Sequence, residues 1–337
     1  MIGIIGGSGF IGTALAQALA VEGRPVRLID HAPSRTCPDR WMPADVRDVS
    51  ALSAAVAGCA TLYHLAGAHR DDVRPVTLYH DVNVRGAENV CAAAEAHRIG
   101  RIVFVSSVAV YGPADRDLDE AAPLRPDHEY GRSKLAAEQA FRAWAAGAPE
   151  RSLTIVRPTV VFGPHNRGNV FELLKQIARG RTIVVGDGRN RKSLAYVENL
   201  ADFLVHALGF GAGVHVFNYA DKPDPDMNHL VALAGRALGV RQRPLHVPYP
   251  LGLAVGLGCD LVAWLSRRSL TVSAARIRKY AASTRFANDR CLASGFRPRH
   301  DLHEALVATI RSEFGHRTAS GREWALSPPK AGERHVT

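Results

Sequence analysis

The stretch MIGIIGGSGFIGTALAQALA, residues 1–20, decides the fold. Ile2–Ile5 is a short continuous apolar run, the signature of a buried strand. Gly6, Gly9 and Gly12 follow at three-residue spacing, and from Ile11 to Ala20 the apolar residues recur with a helical period. Strand, glycine turn and helix in this order make a dinucleotide site. Glycine permits the tight turn and lets backbone N–H groups reach a pyrophosphate, while the helix N-terminus, at Phe10 and Ile11, adds partial positive charge. Eighteen residues beyond Gly12, Asp30 closes a second apolar run, Val26–Ile29. A carboxylate there accepts both adenosine ribose hydroxyls and repels a 2′-phosphate, which points to NAD rather than NADP. Asp45 and Val46 would then flank the adenine.

Outward from this unit the same rhythm repeats. Thr61–Leu65, Ile102–Ser106 and Leu153–Val156 read as strands, with helical stretches at Ala51–Val56, Val84–His97 and Ser133–Ala146. Alternating strands and helices predict an α/β fold: a Rossmann-like, doubly wound parallel sheet with a smaller C-terminal substrate-binding lobe. After Arg157-Pro158 the pattern becomes irregular. Gly163–Asn169 reads as a loop, Val170–Ala178 and Met227–Leu238 as helices, and Val214–Tyr219 as a strand. The expected division is 1–165 for the cofactor domain, with 193–220 returning to it, and 166–192 plus 221–315 for the lobe. Residues 316–337 lack apolar periodicity and are expected to form a mobile tail.

A second cluster carries chemistry. Tyr130-Gly-Arg-Ser-Lys134 opens a helix, so phenol and ammonium share a face, and the cation stabilises phenolate. Ser106-Ser107 ends the fourth strand, and ligands of open parallel sheets bind at such carboxyl ends. Ser107, Tyr130 and Lys134 are therefore expected to converge on one substrate hydroxyl.

Composition narrows the class. The 337 residues are 47% apolar and 22% charged, as in globular proteins rather than disordered or fibrous ones. Forty-two Lys and Arg against 32 Asp and Glu give +10, which favours anionic partners. Five widely spaced cysteines without a CxxC pair support neither a disulfide framework nor a zinc ribbon, and the histidines form no HxH or HExxH, so no metal is expected. The N-terminus lacks a basic region and cleavage site and does not read as a secretory signal, and the cysteines read as buried reduced thiols of a cytoplasmic protein.

These motifs together resemble the extended short-chain dehydrogenase/reductases, in the nucleotide-sugar epimerase/dehydratase branch. GGSGFIG, Asp30, DVRD at 45–48, YHLAG at 63–67, SSVAVYG at 106–112, YGRSK at 130–134, RPTVVFGP at 157–164 and GDGRNRKSLAYVENLADF at 186–203 carry the resemblance. It implies a Ser107–Tyr130–Lys134 trio, NAD contacts that include Leu65, Ala66, Asn83 and Pro158, and Asn83 bracing the active-site lysine. Stretches 68–86, 150–180 and 248–286 are similar to the group within this branch that epimerises C4 of lipid-linked N-acetylglucosaminyl diphosphate. In that chemistry a C4 hydride is lent to NAD and returned to the other face. Substrate contacts are expected at His69, Ser107, Asn169 and Arg191, the last as a diphosphate clamp. Asp71 and Asp72 lie beside His69 at the same rim. Arg191-Lys192 stands where many soluble sugar-nucleotide epimerases carry Arg-Asp, a departure that fits a substrate other than a free UDP-sugar.

Leu251–Leu265 holds one charge, Asp260, and Arg267–Arg290 carries seven basic residues against one acidic. This pattern fits either an anionic membrane surface or a helix buried in the lobe beside a solvated charged face. A homodimer through the helices after the third and fourth strands is usual for similar proteins, and no nucleic-acid partner is expected. A soluble UDP-sugar 4-epimerase, a 4-keto-sugar reductase using NAD(P)H and a non-enzymatic dinucleotide sensor remain open from sequence. The intact Ser107, Tyr130 and Lys134 count against the sensor. Val108 and Ala109, which offer no acid/base side chain, count against a 4,6-dehydratase.

Overall fold

The computed structural model describes residues 1–70, 73–113, 116–180, 182–240, 244–266 and 273–315. Asp71, Asp72, Arg267, Arg268 and the expected tail lie outside the described residues. The chain divides into two units. The first comprises Met1–Val161, Ala195–Asp221 and Phe286–His300, and the second includes Phe162–Leu194 and Lys222–Arg285.

In the first unit, seven strands form one parallel sheet: β1 (Ile2–Ile5), β2 (Val26–Asp30), β3 (Trp41–Pro43), β4 (Thr61–His64), β5 (Arg101–Val105), β6 (Ser152–Pro158) and β7 (Gly213–Tyr219). Their order is β7-β6-β5-β4-β1-β2-β3. The order reverses at β1, between β4 and β2, where open α/β sheets place their ligands. Five helices cover the sheet: α1 (Phe10–Val21), α2 (Val49–Val56), α3 (Gly86–Ala96), α4 (Glu129–Ala146) and α5 (Val197–His206). Strand alternation sorts the core into two layers. Ile5, Ile102 and Phe104 pack with Leu52, Val90 and Phe141 of α2, α3 and α4. Ile4, Val103 and Val105 face the other way, onto Leu15 of α1 and Leu200 and Phe203 of α5.

The sequence missed β3, three residues long and ending in Pro43, which lacks a ladder donor and sits at the sheet edge. Residues 286–300, assigned to the lobe from sequence, belong instead to the first unit. Phe286 bridges Leu118, Asn288 Nδ2 donates to Ala220 O (2.9 Å), and Asn199 bonds to the backbone of His300 at both its oxygen and its nitrogen (2.9 and 2.8 Å).

In the second unit, the helix Asn169–Ala178 carries Phe171 onto Phe314 of Leu302–Phe314, their rings 5.3 Å apart. Met227–Leu238 packs on the same helix and is capped by Asp226, which accepts from His229 N (2.7 Å). Ile183–Val185 and Leu245–Val247 form a two-stranded parallel sheet. The apolar helix extends over Tyr249–Ser266 and packs against Ala274–Ala281. It is not buried within its unit: among its described side chains only Gly252 and Gly256 are buried. Among the described residues no helix is long and apolar enough to cross a membrane.

Candidate active site

The turn after β1 is folded tightly on itself. Gly6 has φ +83°, and a Cβ there would lie 2.5 Å from the nitrogen of Ala66. A Cβ on Gly12 would lie 2.4 Å from Gly6 O, so α1 can approach the turn only without one. Leu65 and Ala66, just past β4, both donate their N–H to Ile5 O (2.8 and 3.1 Å), which fixes the floor under the turn. Gly9 caps α1 without a side-chain acceptor, so the N–H groups of Phe10 and Ile11 have no side-chain cap. Asp30, its side chain only 10% exposed, accepts from Ser8 N (3.1 Å) and Ala32 N (3.0 Å). A cradle that a Cβ would fill, backbone donors at a helix start and a carboxylate at the end of β2 fit a dinucleotide. Asp45 is committed to a bidentate pair with Arg47 (Nη2–Oδ2 2.6 Å), whose hydrogen bonds hold its carboxyl below the usual range. Val46 is buried, with its carbonyl accepting from Asn89 Nδ2 (2.8 Å), and Pro158 is buried at the end of β6.

Ser107 follows β5, half-buried, and its Oγ accepts from Ala109 N (3.2 Å) to cap the turn Val108–Val110. Tyr130 is the second residue of α4, stacked on His128 with ring centroids 6.1 Å apart. Gly131 explains how the helix and the serine turn meet: a Cβ there would lie 2.5 Å from Ala109 O. One turn further, Lys134 is 4% exposed, its Nζ donating to Val105 O (2.9 Å) and lying 4.8 Å over the Phe104 ring. Burial pulls its pKa down to about 8, with Glu138 opposing. The three residues thus gather at the carboxyl end of β5.

Asn83 bonds to the residue that precedes Lys134. Its side chain binds both backbone groups of Ala68 (2.8 and 3.0 Å) and Ser133 Oγ (2.8 Å), so it holds the loop after β4 to α4.

A buried polar chain behind the site escaped the sequence reading. Glu138 accepts from Ser106 Oγ (2.6 Å) and, bidentately, from Arg157 Nε and Nη2 (2.9 and 2.6 Å). Arg157 Nη1 donates to Tyr111 Oη (2.8 Å), which donates to Asn218 Oδ1 (2.7 Å). Glu138 lies four residues after Lys134, and that spacing was the available signal. His64 is fully buried between Phe104 and Phe141 with neither ring nitrogen hydrogen-bonded. Burial, and secondarily the Lys134 cation, lower its pKa to about 3, so it stays neutral.

Of the expected substrate contacts, His69 is exposed, with Nδ1 3.3 Å from Gly67 O. Asn169 opens its helix in the second unit. Arg191 is held there through its backbone, which accepts from Thr284 N (2.9 Å) and donates to Ser283 Oγ (3.1 Å), leaving the side chain exposed.

Residues 2–220 match the family described as NAD dependent epimerase/dehydratase. The chain belongs to this family, and NAD is its cofactor. It is 44% identical over 315 residues, 93% of this chain and 95% of that protein, to the N-acetyl-alpha-D-glucosaminyl-diphospho-ditrans,octacis-undecaprenol 4-epimerase of Escherichia coli O157:H7. It is 27% identical to the UDP-glucose 4-epimerase of Vibrio cholerae, over 73% of this chain and 78% of that one. Among solved structures, MoeE5 in complex with UDP-glucose and NAD is 25% identical with a TM-score of 0.74, covering 92% of this chain and 97% of that one.

Proposed function

We propose that the protein epimerises C4 of a diphosphate-linked N-acetylhexosamine, converting GlcNAc-diphospho-undecaprenol to GalNAc-diphospho-undecaprenol for surface-polysaccharide (O-antigen) assembly. The observation that carries this reading is 44% identity to the Escherichia coli enzyme along nearly its whole length. The bound NAD supplies a hydride acceptor and donor. The chain's own part is binding, orientation and proton management. Tyr130 takes and returns the proton of the C4 hydroxyl, Ser107 Oγ holds that hydroxyl, and Lys134 stabilises the phenolate. The bond from Lys134 Nζ to Val105 O fixes the ammonium, and its burial keeps the cation unscreened by water. Asp30 takes the adenosine ribose hydroxyls, and the chain around Asp45 and Val46 takes the adenine. Leu65, Ala66, Asn83 and Pro158 line the nicotinamide side. His69, Asn169 and Arg191 are the proposed polar contacts to substrate, Arg191 by its phosphate-matching fork.

The protein works in the cytoplasm, at the inner face of the cytoplasmic membrane where its lipid-linked substrate resides, as a homodimer through α3 and α4. The test is parallel incubation with GlcNAc-diphospho-undecaprenol in detergent and with UDP-GlcNAc, resolving C4 epimers. The proposal expects GalNAc on the lipid carrier. Turnover of the UDP-sugar alone would replace it with the soluble-epimerase reading.

A further inference from the structure

Tyr249–Ser266 presents large apolar side chains to solvent along its whole length. Tyr249 is 40% exposed, Leu251 57%, Val255 53%, Leu257 52%, Leu261 57%, Val262 53% and Trp264 75%. Soluble surfaces scatter such residues singly, and a continuous run of them marks a docking face. The packed side of the helix is built from different residues. Gly252 faces Val185, Gly256 lies so close to Ala274 that a Cβ would come within 2.8 Å of its backbone, and Asp260 Oδ2 accepts from Ala274 N (3.1 Å). Residues 252, 256 and 260 share one face. Asp260, the one charged residue in the sequence of this helix, stands on that packed face and is engaged by Ala274 N.

Three further observations identify what covers that surface. Aromatic residues stand at both ends, Tyr249 and Trp264, as in segments that lie at a membrane–water interface. The helix that packs against it, Ala274–Ala281, exposes Arg276 and Arg278, and residues 267–290 hold seven basic side chains against Asp289. Eighteen residues reach about 27 Å as a helix, short of the ~30 Å hydrocarbon thickness, so the segment suits lying in the interface rather than crossing it.

We infer that the outward face of Tyr249–Ser266 is a monotopic docking surface for an anionic lipid bilayer. Its leucines, valines and Trp264 enter the headgroup–acyl boundary, while Arg276 and Arg278 meet the anionic headgroups. The inference rests, for its purpose, on the proposed lipid-linked substrate, whose sugar diphosphate sits at headgroup level. A second copy of the chain would also cover an apolar face, but it would not account for the basic excess beside it.

The test needs no substrate. Full-length protein is sedimented with vesicles of phosphatidylethanolamine alone or mixed with phosphatidylglycerol, at low and high salt. Binding is expected to the phosphatidylglycerol vesicles, weakened at least about tenfold by high salt. Leu257→Glu/Leu261→Glu should weaken binding about tenfold or more, because both side chains are half exposed and their change removes insertion without touching the packed face. Arg276→Glu/Arg278→Glu should abolish the preference for anionic lipid. NAD affinity, which measures the first unit by itself, should be unchanged in both. Wild-type protein left in the supernatant overturns the inference. So does vesicle binding that both variants retain, or a solution dimer that Leu257→Glu/Leu261→Glu dissociates without vesicle binding. Wild-type protein that binds vesicles yet fails to epimerise detergent-solubilised lipid-linked GlcNAc would sink the proposed function and leave the docking surface standing. Protein that epimerises but ignores vesicles would do the reverse.

Discussion

Replacing Glu138 by Gln probes the scaffold behind the site. Glu138 and Arg157 are 0% and 1% exposed, and both carboxylate oxygens accept from the guanidinium at 2.9 and 2.6 Å. Glutamine keeps the volume and one acceptor. It removes the negative charge and turns an amide donor toward the donors of Arg157 and Ser106, leaving the guanidinium desolvated without a counter-charge. Coulomb's law at ~3 Å with an effective dielectric of ~20 gives an attraction of about 5 kcal/mol. Breaking a buried pair from one side costs about 3–5 kcal/mol. Against a typical domain stability of about 5–15 kcal/mol, that is a large fraction. The assay is urea unfolding followed by circular dichroism. With m near 3 kcal/mol/M, the midpoint should fall by about 1–1.7 M at unchanged m. The double replacement Glu138→Leu/Arg157→Met should recover most of the loss, since apolar groups of similar size often substitute for a buried pair without cost. A midpoint shift for Glu138→Gln under about 0.3 M would refute the claim that this pair is desolvated and coupled.

Tyr130→Phe should lower turnover at least ~100-fold with NAD still bound, measured by epimer formation beside cofactor titration. Asp30→Ala should weaken NAD and relax discrimination against NADP, and unchanged selectivity would show that this carboxylate does not read the ribose. Gly12→Ala should lose NAD binding at least ~10-fold, because its Cβ would meet Gly6 O at 2.4 Å; calorimetric titration measures this. Lys134 titrates near 8 in the folded protein against 10.5 when exposed, so between these values the unfolded chain binds more protons. Its contribution therefore makes the apo protein gain stability as pH rises from about 8 toward 10.5, and Lys134→Met should flatten that rise in thermal melts.

What was legible in the sequence was local. The strand–glycine–helix unit at residues 1–20, Asp30 and the Tyr130–Lys134 spacing each place their chemistry within one supersecondary element, and the structure builds them so. The Glu138–Arg157 pair joins α4 to β6, 19 positions apart, and no periodicity links its two halves. Asn83 shows a subtler limit. Its bonds to Ala68 and Ser133 depend on how the loop after β4 meets α4, which no spacing in the sequence announces. The return of 286–300 to the first unit rests on bridges and side-chain bonds such as Asn288 to Ala220, which leave no trace in composition. The helix Tyr249–Ser266 reads as apolar from sequence, but apolarity fits a buried segment and an exposed one equally. The fold distinguishes them: the small residues Gly252 and Gly256 take the packed face, and the large side chains of Leu251, Leu257, Leu261 and Trp264 are left more than half exposed.

A redox-neutral inversion at C4 of a lipid-linked sugar returns the same hydride to the carbon it left. Its most direct test is incubation of the purified protein with GlcNAc-diphospho-undecaprenol deuterated at C4, followed by mass and epimer analysis of the released sugar. The expected product is GalNAc that retains the deuterium at C4, with no net accumulation of NADH. GalNAc that has exchanged its label with solvent, or stoichiometric NADH with no GalNAc, would contradict it.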